Sequence, residues 1–237
     1  MARKPRFGLS GVPQHVIQRG NNREPCFFAE ADYQFYLECV RDAADRYRYA
    51  VHAYVLMTNH VHLLIAPEAH DGVPRCMQHV GRRYVQYINF TYRRSGTLWE
   101  GRYKASLVDV ERYLFTCYRY IELNPVRANM VHAPSEYRRS CYRHNAMGIA
   151  DRVVTPHALY AALGADPETR QAAYRELFRQ HVDGDALKEV RVALNQEVVL
   201  GSERFREQIG RALSRRTRPG VRGRPRKTMA EIGADND

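Results

Sequence analysis

The stretch Ala50-Val51-His52-Ala53-Tyr54-Val55-Leu56-Met57-Thr58-Asn59-His60-Val61-His62-Leu63-Leu64-Ile65-Ala66 decides how the rest of the chain is read. Ala50 to Met57 is a run of strand formers, Thr58-Asn59 is a turn signal, and His60 to Ala66 resumes the run. Two such runs around a short polar break predict a β-hairpin. Side chains alternate across a strand, so His60 and His62 share one face while Val61 and Leu63 point into the core.

Working outward, Val12 to Arg19 carries strand formers and ends at the turn signal Gly20-Asn21-Asn22. Glu30 to Tyr49 places Tyr36, Leu37, Val40, Ala43, Ala44 and Tyr47 at helical spacing. Val73 to Arg94 predicts a second long helix. Met77, Val80, Tyr84, Tyr87 and Ile88 form its apolar side, and Arg75, Arg82, Arg83, Arg93 and Arg94 its basic side. Ser95-Gly96-Thr97 breaks it, and Leu98 to Val108 predicts one or two short strands. Asp109 is placed to cap a third helix, with Glu111 in its first turn and Pro125 ending it near Asn124. The order strand, helix, strand pair, helix, strand, helix gives an α+β sandwich of an antiparallel or mixed sheet crossed by helices.

Beyond about Tyr142 the strand signals fade. Thr155-Pro156 opens a helical region by the cap-then-proline rule. Ala158 to Leu163, Glu168 to His181, Ala186 to Leu194 and, after a Ser202 cap, Glu203 to Leu213 all read as helical. The expected organisation is a catalytic unit over 1–142, a small helical C-terminal unit over 143–214 and a basic, disordered tail over 215–237. Arg215 to Lys227 holds seven basic residues and no acid.

Charge narrows the partners. Lys and Arg number 37 against 26 for Asp and Glu, a net charge of +11 that attracts polyanions, so nucleic acid is the first suspect and a membrane surface the second. Hydrophobic residues make up 44%, enough for a folded core. No apolar run is long enough for a membrane helix, and the basic N-terminus lacks the apolar run of a signal peptide. The expected compartment is the cytoplasm. The five cysteines, Cys26, Cys39, Cys76, Cys117 and Cys141, are odd in number and widely spaced. They predict buried thiols rather than disulfides or a zinc site.

Two imidazoles at i, i+2 on one sheet face can hold a divalent metal together; a polar face that happens to carry two histidines is the plainer alternative. On the third helix Leu114, Cys117, Tyr118 and Ile121 have the core-facing spacing. Tyr120 lies on the flank, and Asn124 follows one turn later on the same side. If that helix packs over His60 and His62, the site joins two imidazoles, one amide oxygen and one phenol. Such a set suits phosphoryl transfer, with a metal polarising the phosphodiester and a nearby cation or base aiding a tyrosine nucleophile.

His60-Val61-His62 resembles the HUH motif (histidine, hydrophobic, histidine) of single-tyrosine HUH transposases. Tyr120-Ile121-Glu122-Leu123-Asn124-Pro125-Val126-Arg127 is similar to their nucleophile helix, especially in the REP-associated branch of the insertion-sequence-200-like superfamily. Gly11-Val12-Pro13-Gln14-His15-Val16, Arg19-Gly20-Asn21-Asn22-Arg23, Tyr54-Val55-Leu56-Met57-Thr58-Asn59 and Leu98-Trp99-Glu100-Gly101-Arg102-Tyr103 continue the match in the family's order, over residues 7–132. The resemblance implies a ferredoxin-like antiparallel sheet with helices packed on it. It implies Mg2+ or Mn2+ held by His60, His62 and Asn124, and Tyr120 as the nucleophile that becomes joined to a 5′ phosphate of single-stranded DNA. Asn124 stands where the insertion-sequence branch often has glutamine, and Glu122 lies on another helical face. An imidazole pair by itself suits zinc or copper; with magnesium the substrate phosphate supplies the missing hard oxygens.

Arg19, Arg23, Arg102 and Lys104 flank the matched blocks and are candidates for backbone phosphates. Trp99, Tyr103 and Phe7 are candidates for stacking on unpaired bases. Arg82 and Arg83 on the second helix are candidates for the stem of the hairpin DNA that the resemblance implies. Arg222, Arg224 and Arg226, in Val221-Arg222-Gly223-Arg224-Pro225-Arg226-Lys227, resemble an AT-hook for the minor groove, with a nonspecific polycation as the alternative. The helical C-terminal unit has two open roles, a DNA-binding module or a lid. The expected function is a nicking and joining enzyme, acting as monomer or homodimer. The alternative is a catalytically silent hairpin-binding protein of the same fold.

Overall fold

The computed structural model describes residues 6–179 and 183–220. Four strands form one antiparallel sheet: β1 (Gln14–Arg19), β2 (Tyr49–Leu56), β3 (His60–Pro67) and β4 (Lys104–Leu107), in the order β2-β3-β1-β4. α1 (Glu30–Tyr47) connects β1 to β2, and α2 (Gly72–Thr91) connects β3 to β4. This is the ferredoxin-like split βαβ arrangement, with the expected hairpin at Met57–His60.

The register fixes the two faces. Ile17 sits opposite His62, Arg19 opposite His60 and His15 opposite Leu64 on one side of β1. Ile17 also sits opposite Lys104, and His15 opposite Ser106, on the other side. His15, Ile17, Arg19, His60, His62, Lys104 and Ser106 therefore share one face. Val16, Val61 and Leu63 occupy the opposite face and are fully buried beneath α1 and α2, which pack on each other and on β2 and β3. That layer is aromatic: Phe27, Tyr36, Tyr84 and Trp99 lie ring against ring. Asp32, buried at the first turn of α1, accepts from the Phe28 and Ala29 amides and from the Tyr87 and Tyr92 hydroxyls. α2 stops at Thr91, short of the expected Arg94, because Arg93 has left-handed backbone at φ 49°.

α3 (Val110–Glu122) crosses the polar face. Leu114, Cys117, Tyr118 and Ile121 are buried as their spacing requires. The helix ends at Glu122, and α4 (Asn124–Arg127) is a separate turn with Pro125 near its start. Asp109 stands at the N-cap position, but its carboxylate does not cap α3. It accepts instead from the Ser202 amide and hydroxyl.

The C-terminal part holds α5 (Tyr142–Met147), α6 (Ala158–Ala161), α7 (Pro167–Arg179), α8 (Gly184–Gln196) and α9 (Glu203–Leu213). Ser202 caps α9 as expected, accepting from the Phe205 amide. Thr155-Pro156 does not open a helix. His157 caps α6, while the Thr155 amide donates to Val51. Both sheet edges are closed by this part of the chain. Residues 139–141 and Thr155 bond to β2, and Leu200 bonds to Leu107 and Asp109 beside β4. Phe7, Leu107, Val199 and Ile209 form a second small core under that closure.

The basic run does not begin as a free tail. Arg215 lies over the Phe7 ring at 3.9 Å, Thr217 is buried and accepts from the Val199 amide, and Arg218 pairs with Glu203. Arg222, Arg224 and Arg226 lie outside the described residues. All five cysteines are free and buried. Among the described residues no helix is long and apolar enough to cross a membrane.

Candidate active site

α3 brings Tyr120 onto the histidine face. Its ring, 8% exposed, stands edge-on to His62 at 5.7 Å and to His15 at 5.5 Å between centroids. Tyr118 points the other way, fully packed against Tyr174, as its spacing predicts. Arg127, on α4, holds its guanidinium 4.6 Å from the centre of the Tyr120 ring and donates to the Tyr120 carbonyl. That contact places a positive charge beside the phenol.

His60 and His62 lie edge to face, 5.2 Å apart. His60 bonds through Nδ1 to Asn59 Oδ1 at 2.7 Å, and Asn59 in turn donates its amide to the Arg23 carbonyl. The Asn124 side chain stands close enough to His60 to counter part of its burial shift, so the helix break still delivers the amide to the expected place. His62 bonds through Nδ1 to His15 Nε2 at 2.9 Å. Burial lowers all three imidazoles. His60 falls to about 4, with Arg19 adding to the shift, and His15 falls to about 3, with Arg127 adding. His62 falls well below its ordinary value, with His15, His60 and Arg127 adding to burial. The rings are thus neutral at neutral pH and available as ligands.

Among the described residues no group of three or more His, Cys, Asp or Glu side chains is placed to hold a metal ion. The set here is different in kind: two imidazole nitrogens and one amide oxygen, all neutral. Three protein donors with open positions suit a catalytic cation completed by a phosphate substrate. The donor chemistry therefore fits Mg2+ or Mn2+ at His60, His62 and Asn124.

Three expected phosphate ligands come together. Arg19, Arg102 and Lys104 line a cleft of about 170 Å³ beside the histidine face, with Ile17, Glu100, Gly101 and Asn195. Arg23 is exposed in the turn after β1, next to Asn59. Arg82 and Arg83 are not in the cleft. They lie on α2, with Arg82 exposed and Arg83 paired with Asp42. The aromatic assignments are corrected. Trp99 is only 6% exposed and packs between Tyr36 and Tyr84. Phe7 is buried under Arg215, and Tyr103 under Arg6 at 4.1 Å. Large aromatic surfaces gain more from burial in this core than from waiting in solvent for a base.

Sequence reasoning missed three residues. His15 lies in phase with Arg19 on β1, so the alternation that paired His60 with His62 also points to it. Arg127 lies seven residues after Tyr120, two helical turns along. Asn195 comes from α8, far along the chain, and nothing local marks it. Glu122 does face elsewhere: it is fully buried and accepts from Cys141, Asn145 and Tyr174.

Comparison with known proteins agrees with this fold. No curated protein matches the chain. Among solved structures, a REP-associated tyrosine transposase bound to a REP hairpin superimposes with a TM-score of 0.55 at 16% identity, over 66% of this chain and 93% of that one. A candidate transposase of Deinococcus radiodurans aligns at 21% identity and a TM-score of 0.36, over 54% of this chain and 92% of the other. The first supports a shared fold. Residues 9–124, which run from before β1 to Asn124, match the family described as "Transposase IS200 like". With the four-stranded sheet, the histidine pair and Tyr120 held over it, residues 9–124 are an IS200-like transposase domain.

Proposed function

We propose that the protein is a DNA strand transesterase that cuts and rejoins single-stranded DNA at hairpin-flanked, REP-like sites. The observation that carries this reading is the placement of the Tyr120 ring against His62, with the Asn124 amide beside His60. When bound, Mg2+ or Mn2+ at His60, His62 and Asn124 would polarise the phosphodiester and orient its oxygens.

The chain's own residues account for the rest. Tyr120 Oη loses its proton and attacks phosphorus. An O–P bond forms to the phenol, the bond to the 3′ oxygen breaks, and that oxygen takes up a proton as a free hydroxyl. The product is a 5′-phosphotyrosine, and reversal with a different 3′ hydroxyl rejoins strands. Arg127 gives the phenol oxygen a counter-charge as its proton leaves. Arg19, Arg102 and Lys104 hold the strand's phosphates in the cleft, with Arg23 at its approach. Arg82 and Arg83 on α2, with Arg222, Arg224 and Arg226 in the tail, are assigned to the duplex stem. A hairpin as ligand is supported by the REP hairpin held by the structural relative. The protein works in the cytoplasm as a monomer or homodimer.

The test is a denaturing gel of end-labelled single-stranded DNA carrying hairpins from the gene's own flanks, with Mn2+. A shortened fragment together with a protein-linked band is expected, and both should vanish in Tyr120→Phe. Tight hairpin binding by both proteins with no covalent band would overturn the enzymatic reading and leave a binding protein.

A further inference from the structure

We infer that His15 is a positioning residue that makes His62 a competent metal ligand: it accepts a hydrogen bond from His62 Nδ1 and leaves Nε2 bare. This rests on the metal-bearing reading of the site given above.

His60 shows the arrangement without ambiguity. The Asn59 amide nitrogen already donates to the Arg23 carbonyl, so the Asn59 oxygen that faces His60 can only accept. His60 Nδ1 is therefore the N–H, and its Nε2 carries the lone pair. The His15–His62 bond, 2.9 Å long and fully buried, can run either way. If His15 donated, the single proton of neutral His62 would sit on Nε2 and face the site as an N–H. Such a ring cannot ligate. If His62 donates, both rings of the pair offer bare Nε2 atoms.

In that arrangement the proton of His15 sits on its Nδ1, a buried nitrogen with no hydrogen-bond partner. That nitrogen is unpartnered whichever way the bond runs, so it marks the position without setting the direction; the need for a bare His62 Nε2 sets it. Packing explains the residue type. The Tyr120 ring rests edge-on against His15, so the position needs an aromatic ring that also carries an acceptor nitrogen. A ligand ring held through its second nitrogen is the general device for orienting metal-bound histidine.

Two measurements on the full chain test this. Nitrogen-15 histidine spectra of the metal-free protein report which His62 nitrogen holds the proton. Nδ1 is expected, and a proton on Nε2 overturns the inference whether or not metal binds. Mn2+ alone, followed by electron paramagnetic resonance, gives affinity. His15→Phe keeps the ring and removes the acceptor, and should weaken Mn2+ roughly 10- to 100-fold. His15→Gln, whose Oε1 accepts in the same place, should recover most of that loss. Wild-type affinity in a folded Phe variant also overturns the inference. Failure of the unaltered protein to bind Mn2+ would sink the metal-bearing reading, and the spectra would still decide the direction of the bond.

Discussion

Among the described residues two histidine pairs have nearly the same shape. His60 and His62 lie 5.2 Å apart at 83°, and His52 and His157 lie 4.9 Å apart at 82°. Their hydrogen bonds differ. His52 Nδ1 faces the Thr155 carbonyl and must donate, so its Nε2 is bare. His157 Nδ1 accepts from the Leu159 amide, so its proton sits on Nε2. That pair offers one lone pair and one N–H, which is half of a ligand set. The first pair is backed by Asn59 and His15 and faces Tyr120 and Asn124. Ring proximity does not make a metal site; the partners behind the rings do.

Tyr120→Phe breaks the contrast most completely, because a tyrosine hydroxyl, the proposed nucleophile, accompanies only one pair. Strand cleavage should fall below detection on a denaturing gel, while DNA affinity by gel shift should stay within about twofold, since the missing hydroxyl is one uncharged group. The next largest effect concerns metal. His60→Ala with His62→Ala should abolish Mn2+ binding measured by calorimetry, whereas His52→Ala with His157→Ala should leave it within about twofold. Equal losses in the two double variants would erase the distinction.

The third effect is shared by both pairs. Burial lowers His52 and His60 to about 4, below the ordinary value of 6.5. Below that value the unfolded chain binds protons that the folded chain refuses. Stability should therefore be fully present above pH 6.5 and fall as pH drops toward 4, by roughly 1.4 kcal/mol per pH unit for each group. Glu122 runs the other way. Burial raises it to about 7, against the pull of its three donors. The folded chain keeps a proton that the unfolded chain releases above 4.5, so this group costs stability as pH rises from 4.5 to 7. Glu122→Gln should gain on the wild type across that window by up to roughly 3 kcal/mol, read from denaturant melts at pH 5 and 7.5. A flat difference would mean Glu122 is ionised throughout.

The smallest effect lies farthest from either pair. Truncation after Gly220 removes Arg222, Arg224, Arg226 and Lys227 while sparing the packed Arg215 and Thr217. The slope of log affinity against log salt should drop by about one for each phosphate that the tail neutralises. An unchanged slope would take the tail out of DNA binding.

Much of this was legible because it is local. The hairpin, the shared face of His60 and His62, and the core stripe of α3 all follow from periods of two and 3.6. Tyr120 and Asn124 both reach the histidine pair although the helix between them breaks at Leu123, because α4 resumes the turn. What could not be read depends on long-range register. Nothing near His15 says that β1 will sit beside β3. Trp99, Phe7 and Tyr103 look like base-stacking residues until Tyr36, Tyr84, Arg215 and Arg6 are brought against them. Asp109 carries a capping signature, yet Ser202 competes for its carboxylate from across the chain.

The closure of both sheet edges by late segments sets an order of events during synthesis. β2 gains its outer partner only when residues 139–155 have been made, and β4 only near Leu200. A growing chain that already holds the three histidines, Tyr120, Asn124 and Arg127 still presents open edges to other nascent chains. Once Leu200 is in place, Val51, Tyr54 and Leu56 on β2 and Leu107 on β4 are already bonded within the chain. A second copy then finds less open strand edge to extend than a nascent chain would.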